Sequence, residues 1–381
     1  MNTDPQLQQE IVDAVLAFIA QDACPVIPAE AGIQSIQEDV PDSQNFDRLA
    51  LRLFAYQYGN NEPFRRFCQR RGTTPRSVKG WRDIPAVPID AFKELSLRCQ
   101  PPGGNDRVFM TSGTTRSEVK GQHHHPTLAV YDSSMTRNFA RRFMRDAERI
   151  RMGILFPTED VLRNSSLAHY LALAVREFGA AGSRYFVSPA GLDSEALCEA
   201  LADAERKQVP YALLGASYSF VHLMDTLRQR GQSFRLPAGS RVLDTGGYKG
   251  QSRELPLESF YAELSAMLGI DRSLCVNMYG MTELSTQFYD DGNASVPSVK
   301  SGPHWIRSRL VDPATGREVA PGERGILVHC DLANFNSVTT ILTEDVGVAA
   351  DGGFLLLGRA QGAAAKGCSL AVEEFLKAAT A

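Results

Sequence analysis

Between residues 152 and 280, four short apolar runs, MGILF (152–156), YALLGAS (211–217), RVLDTGG (241–247) and LCVNMYG (274–280), alternate with longer amphipathic stretches such as ELPLESFYAELSAMLG (254–269). Runs of this length without polar alternation are buried on both faces. A chain that separates them with helices satisfies that demand as a helix-covered parallel sheet, with the loops at the strand ends free for chemistry. The fold class expected is therefore α/β.

The texture differs on either side. Leu7, Ile11, Val15 and Ile19 recur at helical spacing, as do Phe46, Leu49, Leu53 and Phe54, so the first sixty residues are expected to be helices packed on a larger body. Between them CPVIPAEAGIQSIQEDVPDSQ (24–44), with two early prolines and no period, reads as a loop or insertion near 22–45. After residue 300, IRSRLVDPATGREVAPGERGILVHC (306–330) places a Pro-Ala-Thr-Gly turn between runs rich in β-formers. Antiparallel strands are expected there, with a second hairpin at DGGFLLLGR (351–359). The division expected is a helical region over 1–100 belonging to the main domain, a core over 101–358 and a short tail over 359–381.

Charge and targeting narrow the function classes. A net charge of −4 gives no basic surplus for nucleic acid, so a small molecule or a protein is the expected substrate. The start, MNTDPQLQQE, has neither a basic nor an apolar targeting region, and no apolar run approaches the ~20 residues that span a bilayer. A cytoplasmic protein without a membrane span is expected. The seven cysteines (24, 68, 99, 198, 275, 330 and 368) are odd in number, scattered and never in a CxxC pair, which argues against disulfides and a zinc site. Most are read as small buried residues, with Cys275 and Cys330 assigned to the core.

Several motifs fall away on spacing. In FMTSGTTRSEVKGQ (109–122), Thr111, Ser112, Thr114 and Thr115 surround Gly113, and Lys120 follows seven residues after that glycine, which is too far for a Walker loop. Its amides, hydroxyls and cation suit a polyanion such as a nucleoside triphosphate, although the residues alone favour an exposed Ser/Thr loop. LGASYS puts Ser219 where a nucleophile elbow built on Ser217 needs glycine. The adjacent His123, His124 and His125 cannot all face one ion on regular structure and are expected in a solvated loop. NMYGMTELSTQ (277–287) is more informative, because Tyr279, Thr282 and Glu283 sit at an expected strand end. An aromatic face there can stack on a base, a hydroxyl can reach a phosphate and a carboxylate can hold Mg²⁺.

The order of the pieces carries more than any one of them. TSGTTxxxxKG, a Gly-Gly strand end, YGMTE, LVDPATGREVAPGERGIL, TEDVG and LGR, running from about 105 to 370, are similar to the adenylate-forming enzymes: acyl-CoA synthetases, adenylation domains and firefly luciferase. Within that superfamily the length, NSSLAHYL (164–171) and the terminal KGCSL resemble acyl-protein synthetases of the LuxE type, which supply fatty acid to a reductase partner.

The resemblance implies an N-terminal-domain fold of layered αβαβα sheets with a smaller antiparallel β subdomain. It also implies ATP and Mg²⁺ as cofactors and activation of a fatty or other carboxylic acid as acyl-AMP. It makes Thr111, Ser112, Gly113, Thr114, Thr115 and Lys120 the phosphate loop, with Arg116 standing where most relatives have glycine. Gly246, Gly247 and Tyr248 would border the adenine, and Tyr279, beside Gly280, would stack on or flank it. Thr282 would contact the α-phosphate and Glu283 would hold Mg²⁺. Asp345 would take the ribose hydroxyls with Arg359 assisting, and Phe156, Leu214 and Phe220 are candidates for lining the acid pocket.

The superfamily's mobile C-terminal domain, on the order of 100 residues, is expected to be lacking, since only residues 360–381 follow Arg359. The tail reads as a flexible Gly/Ala stretch, then Lys366, Gly367 and Cys368, then an amphipathic helix from about Leu370. A cysteine near a cation and a helix N-terminus would have a lowered pKa. The resemblance makes Cys368 the acyl acceptor and Lys366 a stand-in for the missing domain's lysine. The acyl group would then pass to a reductase, acyltransferase or carrier-protein partner. The rivals are a ligase that uses CoA or a carrier-protein thiol directly, and a nucleotide-binding subunit without chemistry.

Overall fold

The computed structural model describes residues 4–21, 40–104, 106–111, 119–248, 250 and 252–380. The segment 22–39 lies outside the described residues, and the rest of the expected insertion is already helical.

The four apolar runs form strands β4 (Arg151–Leu155), β8 (Tyr211–Ala216), β9 (Arg241–Thr245) and β10 (Cys275–Tyr279), all parallel. Their sheet has the order β11-β10-β9-β8-β4-β5, with β11 (Phe288–Tyr289) antiparallel and β5 (Arg184–Tyr185) parallel at the edges. Alternate strand residues face opposite layers. Ala212, Leu214, Leu243 and Val276 pack on α5 (Ala129–Phe139) and α6 (Ser166–Phe178). Tyr211, Leu213 and Val242 pack on α7 (Ser194–Lys207), α8 (Ser217–Arg230) and α9 (Leu257–Leu268). The small hairpin β6 (Val187–Ser188) and β7 (Gly191–Leu192) leads into α7.

The second sheet is antiparallel along β12 (Val299–Lys300), β16 (Gly353–Arg359), β15 (Thr340–Ala350), β14 (Arg324–Asp331) and β13 (Ile306–Val311). The turn over 313–316 follows β13 and closes with the Gly316 amide on the Asp312 carbonyl at 2.8 Å. Asp351 and Gly352 turn β15 into β16, as the sequence indicates. Near its start β15 also pairs in parallel with β1 (Val87–Pro88), Val87 opposite Ile341.

The N-terminal helices α1 (Pro5–Ile19), α2 (Val40–Asn60) and α3 (Glu62–Arg70) share one core with this sheet and with the end of α10 (Gly362–Thr380), where Phe67 meets Phe375 at 4.7 Å between ring centroids. Two smaller elements complete the site's frame: α4 (Ala91–Glu94) and the hairpin β2 (Arg107–Met110) with β3 (Gln122–His125). No helix among the described residues is long and apolar enough to cross a membrane.

The tail departs from the sequence reading. Helix α10 starts at Gly362 (φ +59°), eight residues before Leu370, because its alanines are strong helix formers. The Gly/Ala stretch is part of the helix, and Cys368 lies in its interior.

Candidate active site

A cavity of about 580 Å³ opens at the carboxyl ends of all four parallel strands, where β4 is flanked by β5 and β8 and the strand order reverses. Open α/β sheets take their ligands at such a place. Phe156 after β4, Ala216 and Tyr218 at the β8 end, Gly246 and Gly247 after β9, and Gly280 to Thr282 after β10 line it. Gly246 is left-handed (φ +74°), a conformation open to glycine at little cost, and it lets the chain turn back over the strand end. Below this turn, Asp244 accepts from Ser217 Oγ (2.7 Å), Tyr261 Oη (2.8 Å) and Asn277 Nδ2 (2.9 Å). That network ties four elements together beneath the cavity, and it is what Ser217 serves in this structure.

Thr111 and Gly121 continue the β2–β3 ladder: the Thr111 amide donates to the Gly121 carbonyl (3.0 Å) and the Gly121 amide to Thr111 Oγ1 (3.0 Å). They form the neck of the expected phosphate loop, whose Ser112, Gly113, Thr114 and Thr115, with Arg116, lie outside the described residues. A Cβ on Gly121 would stand 3.2 Å from Glu283 Oε1, 3.2 Å from Thr111 Cγ2 and 3.6 Å from Phe92 Cβ. Glycine there allows the loop neck, Glu283 and α4 to meet. Lys120, exposed, lines a second cavity beside Lys93 of α4.

Glu283 is 3% exposed, and burial pushes its carboxyl up to about 7 against the cations of Lys93 and Arg359. A single carboxylate beside the neck of the expected phosphate loop would suit Mg²⁺, an ion that keeps waters and substrate phosphates as its other oxygen ligands. Among the described residues no group of three or more His, Cys, Asp or Glu converges as a metal site of its own.

His123, His124 and His125 are the clearest correction to the sequence reading. They are buried on β3, not solvated in a loop. Burial lowers His123 to about 4, so it is neutral, and its Nδ1 donates to the Thr282 carbonyl at 3.0 Å. This fixes the strand end that carries Thr282 and Glu283. A run of three polar residues gave no apolar period by which to find it.

Tyr279 also departs from expectation. It is 8% exposed, with its ring among Phe288, His329 and Phe354, so it presents no open face to a base. Its hydroxyl instead donates to Asp345 Oδ2 at 2.8 Å. Asp345 and Arg359 are cross-strand partners on β15 and β16, and Arg359 reaches Asp345 Oδ1 (3.2 Å) and Glu344 Oε2 (2.7 Å). Burial pushes the Asp345 carboxyl up, while Arg359 and the Tyr279 hydroxyl hold it back. Tyr248 hydrogen-bonds the Leu255 carbonyl (2.9 Å) and packs on Phe260 rather than lining the cavity. Of the acid-pocket candidates Phe156 lines the cavity, whereas Leu214 and Phe220 are enclosed in the layers on either side of the sheet.

Cys368 is 3% exposed and packs against Val311, Ile326 and Val328. Its thiol is pushed up to about 11 by burial, with the carboxylates of Glu344, Asp90 and Asp345 adding to the effect, so the expected lowering is reversed. Gly367 brings α10 close to the turn after β13: a Cβ there would lie 2.8 Å from Pro313 Cβ. Lys366 is exposed on the same helix. Cys275 and Cys330 are core residues, as read from the sequence.

Residues 35–377 match the family described as acyl-protein synthetase, LuxE. The chain is similar to a long-chain-fatty-acid–luciferin-component ligase of Vibrio harveyi, 24% identical over 319 residues, covering 82% of this chain and 81% of that one. A protein of the same name from Aliivibrio fischeri is 21% identical over 304 residues, covering 79% and 78%. Among solved structures, a 2-hydroxyisobutyryl-CoA ligase in an open conformation has a TM-score of 0.61 at 14% identity, covering 87% of this chain and 81% of that one. The same ligase in its postadenylation state has a TM-score of 0.62 at 14% identity, covering 89% and 74%. The fold is thus that of adenylate-forming ligases, and the chain belongs to the LuxE family of acyl-protein synthetases.

Proposed function

We propose that this protein activates a carboxylic acid, a fatty acid by analogy with the names of its relatives, as an acyl adenylate and passes the acyl group to a thiol. The observation that carries this reading is the cavity at the β4, β8, β9 and β10 ends, with Gly246 and Gly247 on its wall and Thr282 beside Glu283 and the Thr111–Gly121 neck. A carboxylate oxygen attacks the α-phosphorus of ATP and pyrophosphate leaves; a thiolate then attacks the acyl carbonyl and AMP leaves. The first step is mainly positioning and charge neutralisation. Thr282, Lys120 and the phosphate loop would bind the phosphates, Asp345 with Arg359 the ribose, and Gly246, Gly247 and Gly280 would flank the nucleotide. Glu283 would hold Mg²⁺, which when bound offsets phosphate charge. A cytoplasmic location belongs to the same reading.

For the thiol, Cys368 remains the candidate within the chain, with delivery onward to a reductase, acyltransferase or carrier-protein partner. Its burial sets a condition: α10 must part from β13 and β14 before the sulfur can meet the adenylate. The same burial favours a second reading, in which CoA or a carrier-protein thiol takes the acyl group directly and Cys368 only packs.

Intact-protein mass spectrometry after incubation with Mg²⁺-ATP and a panel of acids separates these. A hydroxylamine-labile acyl mass on the wild type, absent from Cys368→Ser, supports the first; pyrophosphate release without an adduct supports the second. A panel in which no acid releases pyrophosphate removes both.

A further inference from the structure

Lys120 is not the only cation at the neck of the phosphate loop. Helix α4 brings Lys93 to the wall of the same cavity of about 400 Å³, together with Phe92, Val119 and Gln122. Met110, which precedes the neck residue Thr111, lines both this cavity and the larger one at the strand ends, so the two adjoin. Glu94 is the single carboxylate among the described residues lining the smaller cavity, and it is exposed.

The backbone carrying Lys93 is held on two sides. Just before α4, the Ile89 amide donates to the Leu342 carbonyl at 2.9 Å and extends the β1–β15 pairing. Ala91 and Phe92 are buried, and the Phe92 ring lies 6.0 Å from that of His123, the residue bonded to the Thr282 carbonyl. Helix α4 is thereby docked on the strand end that carries Glu283. Electrostatics reports the same neighbourhood: burial pushes the Glu283 carboxyl up, and Lys93 and Arg359 pull it down.

Lys93 is accessible as well as placed. Its side chain is 29% exposed, and among the described residues its ammonium has one ion-pair partner, Asp90 Oδ1 at 2.6 Å. An ammonium carries three N–H donors, so this pairing leaves donors for a second acceptor.

We propose that Lys93 is a second phosphate-binding lysine, which with Lys120 holds the β- and γ-phosphates of ATP and then the departing pyrophosphate in this cavity. As the carboxylate oxygen bonds to the α-phosphorus, the bond from that phosphorus to the bridging oxygen breaks, and its electron pair stays on the pyrophosphate. No proton moves. Negative charge grows on the leaving group, and a cation already in position there stabilises the transition state. The inference deepens the acid-activating reading above and rests on it.

The first test is ATP–pyrophosphate exchange with each acid of the panel on wild type, Lys93→Met and Lys93→Arg. Lys93→Met should raise the KM for pyrophosphate about tenfold or more, while the KM for the acid changes by less than about twofold. Lys93→Arg, which keeps the charge, should recover much of that loss. A lysine that serves only to pair with Asp90 would lower the melting temperature of Lys93→Met and leave the KM for pyrophosphate unmoved, which overturns the proposal. A rise confined to the KM for the acid does the same. The second test needs no variant: Mg²⁺-pyrophosphate should slow labelling of Lys93 by an amine-reactive ester on the wild type, read by peptide mapping, while Lys377, exposed at the far end of α10, labels as before. Unprotected Lys93 overturns the proposal even if Lys93→Met fails to fold. If no acid supports exchange on the wild type, the acid-activating reading falls; protection of Lys93 would still establish the phosphate site, and its absence would end both.

Discussion

The Tyr279 hydroxyl holds Asp345 Oδ2 at 2.8 Å, so the strand end carrying the Thr282–Glu283 pair is tied across the two sheets to the carboxylate assigned to the ribose. Tyr279→Phe should leave the ring packing intact and release that carboxylate. A hydrogen bond to a charged group contributes about 1.5–3 kcal/mol, so the KM for ATP should rise roughly tenfold or more, with kcat changing less. Pyrophosphate release at varied ATP measures this, and an unchanged KM would mean that Asp345 is oriented without Tyr279.

Glu283→Gln keeps the shape of a buried side chain and removes its capacity to carry charge. Acid-dependent pyrophosphate release should fall about 100-fold, and Lys120→Ala should lower it by roughly tenfold, as expected when a positioned charge is withdrawn from a phosphoryl-transfer site. Thermal melting should show both variants folded. Near-normal turnover by Glu283→Gln would remove the carboxylate from the proposed metal site.

Gly121→Ala tests the close approach at the loop neck. Its new methyl would meet Glu283 Oε1 and Thr111 Cγ2, each at 3.2 Å, so one of the two must shift. Pyrophosphate release should drop about tenfold while stability changes by no more than about 1–2 kcal/mol, because misplacement by a fraction of an ångström weakens positioning more than packing. Full activity in this variant would show that Glu283 and the neck move apart freely.

The sequence displayed the parallel sheet and both antiparallel hairpins because their signals are local: apolar runs, a Pro-Ala-Thr-Gly turn and a Gly-Gly turn. It also placed Thr111, Lys120, Thr282 and Glu283 in one neighbourhood through the order of their motifs. It could not show which way Tyr279 faces, since that depends on aromatic residues 50 and 75 positions away, His329 and Phe354. The histidine run was illegible for the same reason. Its burial is conferred by elements distant in sequence, and a polar residue on a buried strand breaks the period by which burial is read.

His169 offers a pH test. Its ring nitrogens contact Asp132 and Glu159, each at 2.8 Å, and although burial works against the charged form, these bonds raise its pKa above the ordinary value of 6.5. A raised histidine adds stability in full below its unfolded pKa and loses that addition as pH climbs through the folded one. The melting-temperature gap between wild type and His169→Asn should therefore be larger at pH 5.5 than at pH 9. A gap independent of pH would mean that the imidazole stays neutral between its two carboxylates.

The labelling of Cys368 follows from its surroundings. With the thiol pushed up to about 11, alkylation of the folded protein should be slow near neutrality and rise about tenfold per pH unit until that value is reached. Peptide mapping after brief iodoacetamide treatment reads this directly. Fast labelling at pH 7 that slows when ATP and acid are withheld would instead report helix release during turnover.

The pairing of Val87 with Ile341 has a consequence for how the polypeptide comes into being. On the ribosome the amino-terminal helices emerge long before β15, the strand that pairs with β1, and α3 meets α10 only once residues 362–380 have been made. Contacts so remote in sequence slow folding and leave apolar helix faces uncovered meanwhile. A fragment cut after residue 100 would lack the surface that α1 to α3 need, and a nascent chain stalled before residue 341 would be a natural client for chaperones.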